Sequence, residues 1–209
     1  MFRYKPADYP GGEKRMAMEG DKAYADAVVA AARLPRPKRD LALLDLSIEK
    51  WRSIHDILLC HPTMLLDEGG HKTCALCHAF WAGCEENQCP VAVHVGHGGC
   101  DSTPYDDYGS AYLHGCPTIA RQAALAEVTF LHEVKQGLED RIVQRRRRML
   151  RTAAGAVLSL VISALAFTRG SVEGPVVLEV TGLFFLIGGL ILAALTLALW
   201  NTDRQLRGD

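Results

Sequence analysis

The sequence predicts a mainly α-helical chain: a small, loop-rich cysteine domain stabilised by zinc and flanked by helices, followed by a two-helix transmembrane hairpin. Three observations predict it. Apolar residues recur at helical spacing on both sides of a central segment; six of the seven cysteines fall between Cys60 and Cys100; and most of the apolar excess comes after Leu150. The 209 residues carry a formal net charge of -1, which gives no reason to expect a nucleic-acid partner.

Residues 1–21 read as a flexible leader, with Pro, Gly and charge where the apolar core of an export signal would lie. Residues 22–61 hold the N-terminal helices. The first spans 22–33 and is stopped by Pro35 and Pro37. The second carries Leu41, Leu44, Ile48, Trp51 and Leu58 on one face, with Asp45, Glu49, Lys50 and Arg52 mostly off that stripe. In residues 62–116 periodicity gives way to glycines and Pro104, so a bound metal is the expected organiser of this cysteine-rich segment. A linker helix over 117–150 starts at Pro117, and Leu125, Val128, Leu131, Leu138 and Ile142 form its apolar stripe.

Residues 151–200 hold two apolar runs, 152–167 and 176–200, joined by the short loop "TRGSVEGP". Their lengths approach or reach a bilayer span, so a transmembrane hairpin with the lipid bilayer as partner is expected. Arg145, Arg146, Arg147, Arg148 and Arg151 precede the first run, Arg204 and Arg207 follow the second, and the loop has only Arg169. The positive-inside rule then places both chain ends, including the tail 201–209, on the cytoplasmic side of an inner membrane. Gly155, Ser159 and Ser163 recur every four residues and let helices approach closely, which also offers a surface for homo-oligomers.

"CALCH" (Cys74 to His78) has the form of a haem-attachment signature, a zinc knuckle or a dithiol pair. A cytoplasmic location disfavours haem, and no βαβ pattern supports a thioredoxin-like dithiol. Zinc accounts for more of the cysteines. Cys74 and Cys77 are spaced to share one tetrahedral ion, and the remaining two ligands come from Cys89, Cys100 and Cys84, with His97 as a substitute. Four of those five cysteines are expected to bind, making the zinc structural. Between Gly70 and Cys116 the only Lys or Arg is Lys72, against five acidic residues, which again argues against nucleic acid. Cys60 and Cys116 stand apart and read as small buried thiols.

The order "SIEKW" (Ser47 to Trp51), "CALC", "CPV" (Cys89 to Val91), "GCDSTPYDDY" (Gly99 to Tyr108) and "ALAEVTFL" (Ala124 to Leu131) resembles small cysteine-rich proteins of bacteriophage and prophage genomes, which have no assigned activity. The resemblance covers about residues 43–131. It implies that metal ligands come from Cys74, Cys77, Cys84, Cys89 and Cys100. The second pair in such proteins is often C-x-x-C, whereas four residues separate Cys84 from Cys89 here.

The expected function is that of a non-enzymatic, membrane-anchored zinc protein of phage type that engages a protein partner. The alternatives are a membrane-perturbing, holin-like hairpin and a zinc hydrolase or nuclease built on His94, His97 and Asp101.

Overall fold

In the computed structural model the described residues are 2–7, 15–20, 22–80 and 88–170, together with 188, 189, 191, 194 and 195. They are mainly helical and divide into two units, Met1–Asp140 and Arg141–Asp209. The first unit holds the cysteines and most of the ordered core.

Its framework is α2 (Lys38–Cys60), the helix carrying the Trp51 stripe. Leu44, Ile48, Trp51, Ile54 and Leu58 recur at three- and four-residue intervals and are buried, while Asp45, Glu49 and Arg52 face solvent. The buried face is wider than the apolar letters indicate, since Leu43, Ser47 and Lys50 also lie inside it. α1 (Lys22–Ala32) ends one residue short of the expected stop and packs Tyr24, Val28 and Ala31 into the same core.

Residues 2–7 and 15–20, part of the expected flexible leader, form strands. β1 (Phe2–Ala7) and β2 (Arg15–Gly20) pair antiparallel, with Phe2 opposite Gly20 and Ala7 opposite Arg15. β2 then pairs in parallel with β3 (Leu65–Asp67), completing a three-stranded sheet. Met16, Ala17 and Met18 lack a clean alternation with polar residues, so no period-two signal marks the segment.

The cysteine-rich stretch is also more regular than its glycines indicate. After a single turn of 3-10 helix (Gly70–Lys72) come α3 (Ala75–Phe80), α4 (Pro90–Val95) and α5 (Pro104–Leu113). Proline opens α4 and α5, where its fixed φ and missing N–H suit the first helical turn. Gly96 ends α4 with φ of 84°, in the left-handed region that a residue with a Cβ adopts at a cost.

α6 (Pro117–Gly170) starts where the sequence places it, and of its expected stripe Leu131 is buried while Val128 and Leu138 pack against the core. Its buried face runs through Ala120, Ala124, Glu127, Leu131 and Val134, whereas Leu125 is 51% exposed. Alanine lets α6 approach its neighbours closely, and a carboxylate in the middle of the buried face hides that face from a hydropathy reading.

Two parts of the expected fold class require correction. Among the described residues no helix is long and apolar enough to cross a membrane, so the expected transmembrane hairpin is not found among them. Most of the second run, 176–200, and the tail 201–209 lie outside the described residues. Nor do the described residues contain a group of three or more His, Cys, Asp or Glu side chains gathered to hold a metal ion, so the expected zinc centre is not formed among them. An apolar cluster from α1, α2, β3 and the four later helices supplies the cohesion instead.

That core predicts a contrast between two leucines. Leu44→Ala, at a fully buried site, is expected to cost about 2–5 kcal/mol in urea denaturation. Leu125→Ala is expected to stay within about 0.5 kcal/mol of wild type, because its side chain is half exposed.

Candidate functional site

The described body encloses a cavity of about 500 Å³. Its wall includes four cysteines, Cys74, Cys77, Cys89 and Cys100, brought in by three separate chain reversals. Cys74 sits just before α3, and its Sγ accepts the backbone N–H of Cys77 at 3.4 Å. Cys89 caps the start of α4, its carbonyl accepting from the Val93 N–H at 2.9 Å. Cys100 lies in the turn before α5, where the Thr103 hydroxyl donates to the Cys100 carbonyl at 2.6 Å. Gly99 with φ of 85° and Ser102 with φ of 61° make that turn tight.

Every stretch singled out in the sequence reaches this wall. "SIEKW" contributes Ser47, Lys50 and Trp51; "CALC" and "CPV" contribute cysteines; "GCDSTPYDDY" contributes Cys100 and Tyr105; and "ALAEVTFL" contributes Glu127 and Leu131. Residues spread over some eighty positions of chain thus surround one space.

A buried polar network fixes the wall. Lys50, only 1% exposed, forms an ion pair with Glu68 just after β3. The Glu68 Oε1 also accepts the Gly70 N–H at 2.9 Å and the Tyr105 hydroxyl at 3.1 Å. The Thr73 hydroxyl donates to the Glu68 carbonyl, and the Tyr24 hydroxyl donates to the Thr73 carbonyl at 2.7 Å. Trp51 meets Tyr105 and Tyr108 edge-on, with ring centroids 5.9 Å and 5.0 Å away.

The electrostatics separate the two knuckle cysteines. The hydrogen bond from the Cys77 thiol lowers the pKa of Cys74 against the opposing effect of burial, and the Lys50 charge lowers it further. Cys77 is pushed up by the same contact and by burial. The contact favours the thiolate form at Cys74 and the thiol form at Cys77, and a thiolate is the form that binds soft metals or attacks electrophiles. Burial pushes the Glu127 carboxyl up to about 7, reinforced by the nearby Cys74 charge and countered in part by the Tyr105 backbone N–H.

The remaining expected ligands fall elsewhere. Cys84 lies outside the described residues. His97 is exposed, its Nδ1 3.2 Å from the Gly98 carbonyl oxygen, and it does not line the cavity. His94 is exposed and packs edge-on against Phe130 at 5.7 Å, and Asp101 is exposed as well. The three residues of a zinc hydrolase are thus not among the metal-holding groups of the described residues, which number none. Cys60, expected to be buried, is exposed, and Cys116 is half-buried outside the cavity wall.

Lys50 and Glu127 are the site residues that sequence reasoning missed. Neither lies on the apolar stripe that helical spacing marks, so hydropathy carries no signal for them. No protein-family model, curated protein or solved structure matches this chain.

Two outcomes follow from the network. Lys50→Ala leaves Glu68 buried without its cation and is expected to cost about 3–5 kcal/mol in urea denaturation, whereas the double change Lys50→Met with Glu68→Leu is expected to cost less. The folded state of the metal-free protein keeps the Glu127 proton from the ordinary value of 4.5 up to about 7, so folding stability falls as pH rises through that window. Glu127→Gln is expected to match wild type below pH 4.5 and to be more stable above pH 7, by on the order of 3 kcal/mol at most. Denaturation midpoints measured across the range check this.

Proposed function

We propose that the cavity is a binding site for a thiophilic metal cation, with zinc the leading candidate, and that the chain is a non-enzymatic metal-binding accessory protein. The observation that carries this reading is the convergence of Cys74, Cys77, Cys89 and Cys100 on one cavity wall. Cysteine thiolates are soft donors, and a set of four suits zinc or another thiophilic ion far better than magnesium or calcium.

The fold does not wait on this ion. The described thiols stand around the cavity without gathering at metal-binding distance, while the core and the Lys50–Glu68 network already position the elements that carry them. Binding would draw the sulfurs inward and displace thiol protons. Lys50 favours the first of those ionisations, at Cys74. The metal would then be a bound ligand whose presence the protein reports to a partner. The resemblance to phage cysteine-rich proteins supports such an accessory role, since the stretches that carry it all meet at the cavity.

Metal analysis of the full-length protein tests the reading. The purified chain should take up about one zinc, and Cys74→Ser, Cys77→Ser, Cys89→Ser and Cys100→Ser should each lower that content while Cys60→Ser does not. Chelation should leave the helical circular dichroism largely intact, because the apolar core remains. Failure to take up zinc, or uptake insensitive to all four substitutions, would rule the proposal out.

A further inference from the structure

Glu127 lines the cavity from α6 and is only 5% exposed. Among the described residues its Oε2 has no hydrogen-bond partner. The other polar groups around this wall are engaged: Lys50 with Glu68, the Tyr105 hydroxyl with Glu68, and the Ser47 hydroxyl with the Leu43 carbonyl at 3.0 Å. A buried carboxylate oxygen left without a partner is costly, and an apolar residue would suit this position between Ala124 and Leu131 better if packing were its only task.

The charges of the wall indicate what the oxygen meets. Lys50 is the only cationic side chain lining the cavity among the described residues, and Glu68 already occupies it. What remains is four thiols and one carboxylate, a surface that suits a cation and disfavours an anion. Zinc accepts carboxylate oxygen alongside sulfur, at about 2.0–2.2 Å.

We infer that Glu127 is an oxygen donor to the cation held in this cavity, exchanging with one of the four thiolates in its tetrahedral shell, which makes the centre a mixed sulfur and oxygen site. The inference rests on the cavity being the metal site proposed above. It names a ligand that the cysteine pattern does not contain, and it explains why a carboxylate occupies the buried face of α6. A carboxylate ligand is also a weaker and more exchangeable donor than a thiolate, which fits an ion that is bound and released.

Cobalt(II) added to the full-length protein is the probe, because its visible bands report both thiolate ligation and the balance of sulfur and oxygen donors. Wild type should bind cobalt with thiolate charge-transfer bands. Glu127→Gln keeps the side-chain shape and should lower cobalt affinity by at least about tenfold and move the ligand-field bands, while Glu127→Asp should retain part of both. Circular dichroism confirms that each variant is folded. Unchanged affinity and bands in both Glu127→Gln and Glu127→Ala would overturn the inference and leave the cysteine site standing. Absence of thiolate–cobalt bands in wild type would overturn the inference together with the reading beneath it.

Discussion

The buried ion pair between Lys50 and Glu68 is the constraint on which the arrangement of the cavity depends. Taking an ammonium and a carboxylate out of water is expensive, and the interaction holds only where the geometry is good and the remaining lone pairs are used. Here they are used. Glu68 accepts from the Gly70 N–H and the Tyr105 hydroxyl, so one carboxylate ties α2 to the end of β3, to the turn that follows and to α5. The Thr73 hydroxyl returns to the Glu68 carbonyl, which fixes the residue directly before Cys74. Position therefore passes from a charge pair to a turn and from the turn to a thiol.

The same pair shapes the chemistry. Lys50 is close enough to favour ionisation of Cys74, while the Cys77 thiol donates to it. With Glu68 neutralising Lys50, the ionisable groups left on a largely apolar wall are the four cysteines, Tyr105 and Glu127. Such a wall has little to offer a phosphate or nucleic acid and much to offer a soft cation. The apolar core makes this possible without a metal as scaffold, because α1, α2, β3 and α6 bury leucine, valine, alanine and aromatic side chains against one another.

How much of this the sequence disclosed differs from element to element. The helix over α2 was legible because Leu44, Ile48, Trp51 and Leu58 repeat at helical spacing, and the start of α6 was legible from Pro117. Cys74, Cys77, Cys89 and Cys100 are four of the five cysteines that spacing offered as ligands, and spacing did not choose among the five. Lys50 was read as lying off the buried stripe, because hydropathy cannot distinguish a solvated ammonium from one neutralised by Glu68, eighteen residues away. On α6 the reading found Leu131, Val128 and Leu138, but it took exposed Leu125 and missed Ala120, Ala124 and Glu127, because alanines score weakly and Glu127 scores as solvent-facing. β2 lacked alternation, and its pairing with β3 depends on contacts across more than forty residues. The zinc-stabilised fold and the transmembrane hairpin were inferred from composition, and neither matches the described residues.

The central claim is that four thiols from separate loops act as one site. Cysteine alkylation of the full-length protein, mapped by mass spectrometry with and without zinc, tests it most directly. The account predicts that zinc protects Cys74, Cys77, Cys89 and Cys100 together, at the same metal concentration, while exposed Cys60 reacts throughout. Independent labelling of the four, indifferent to zinc, would contradict it.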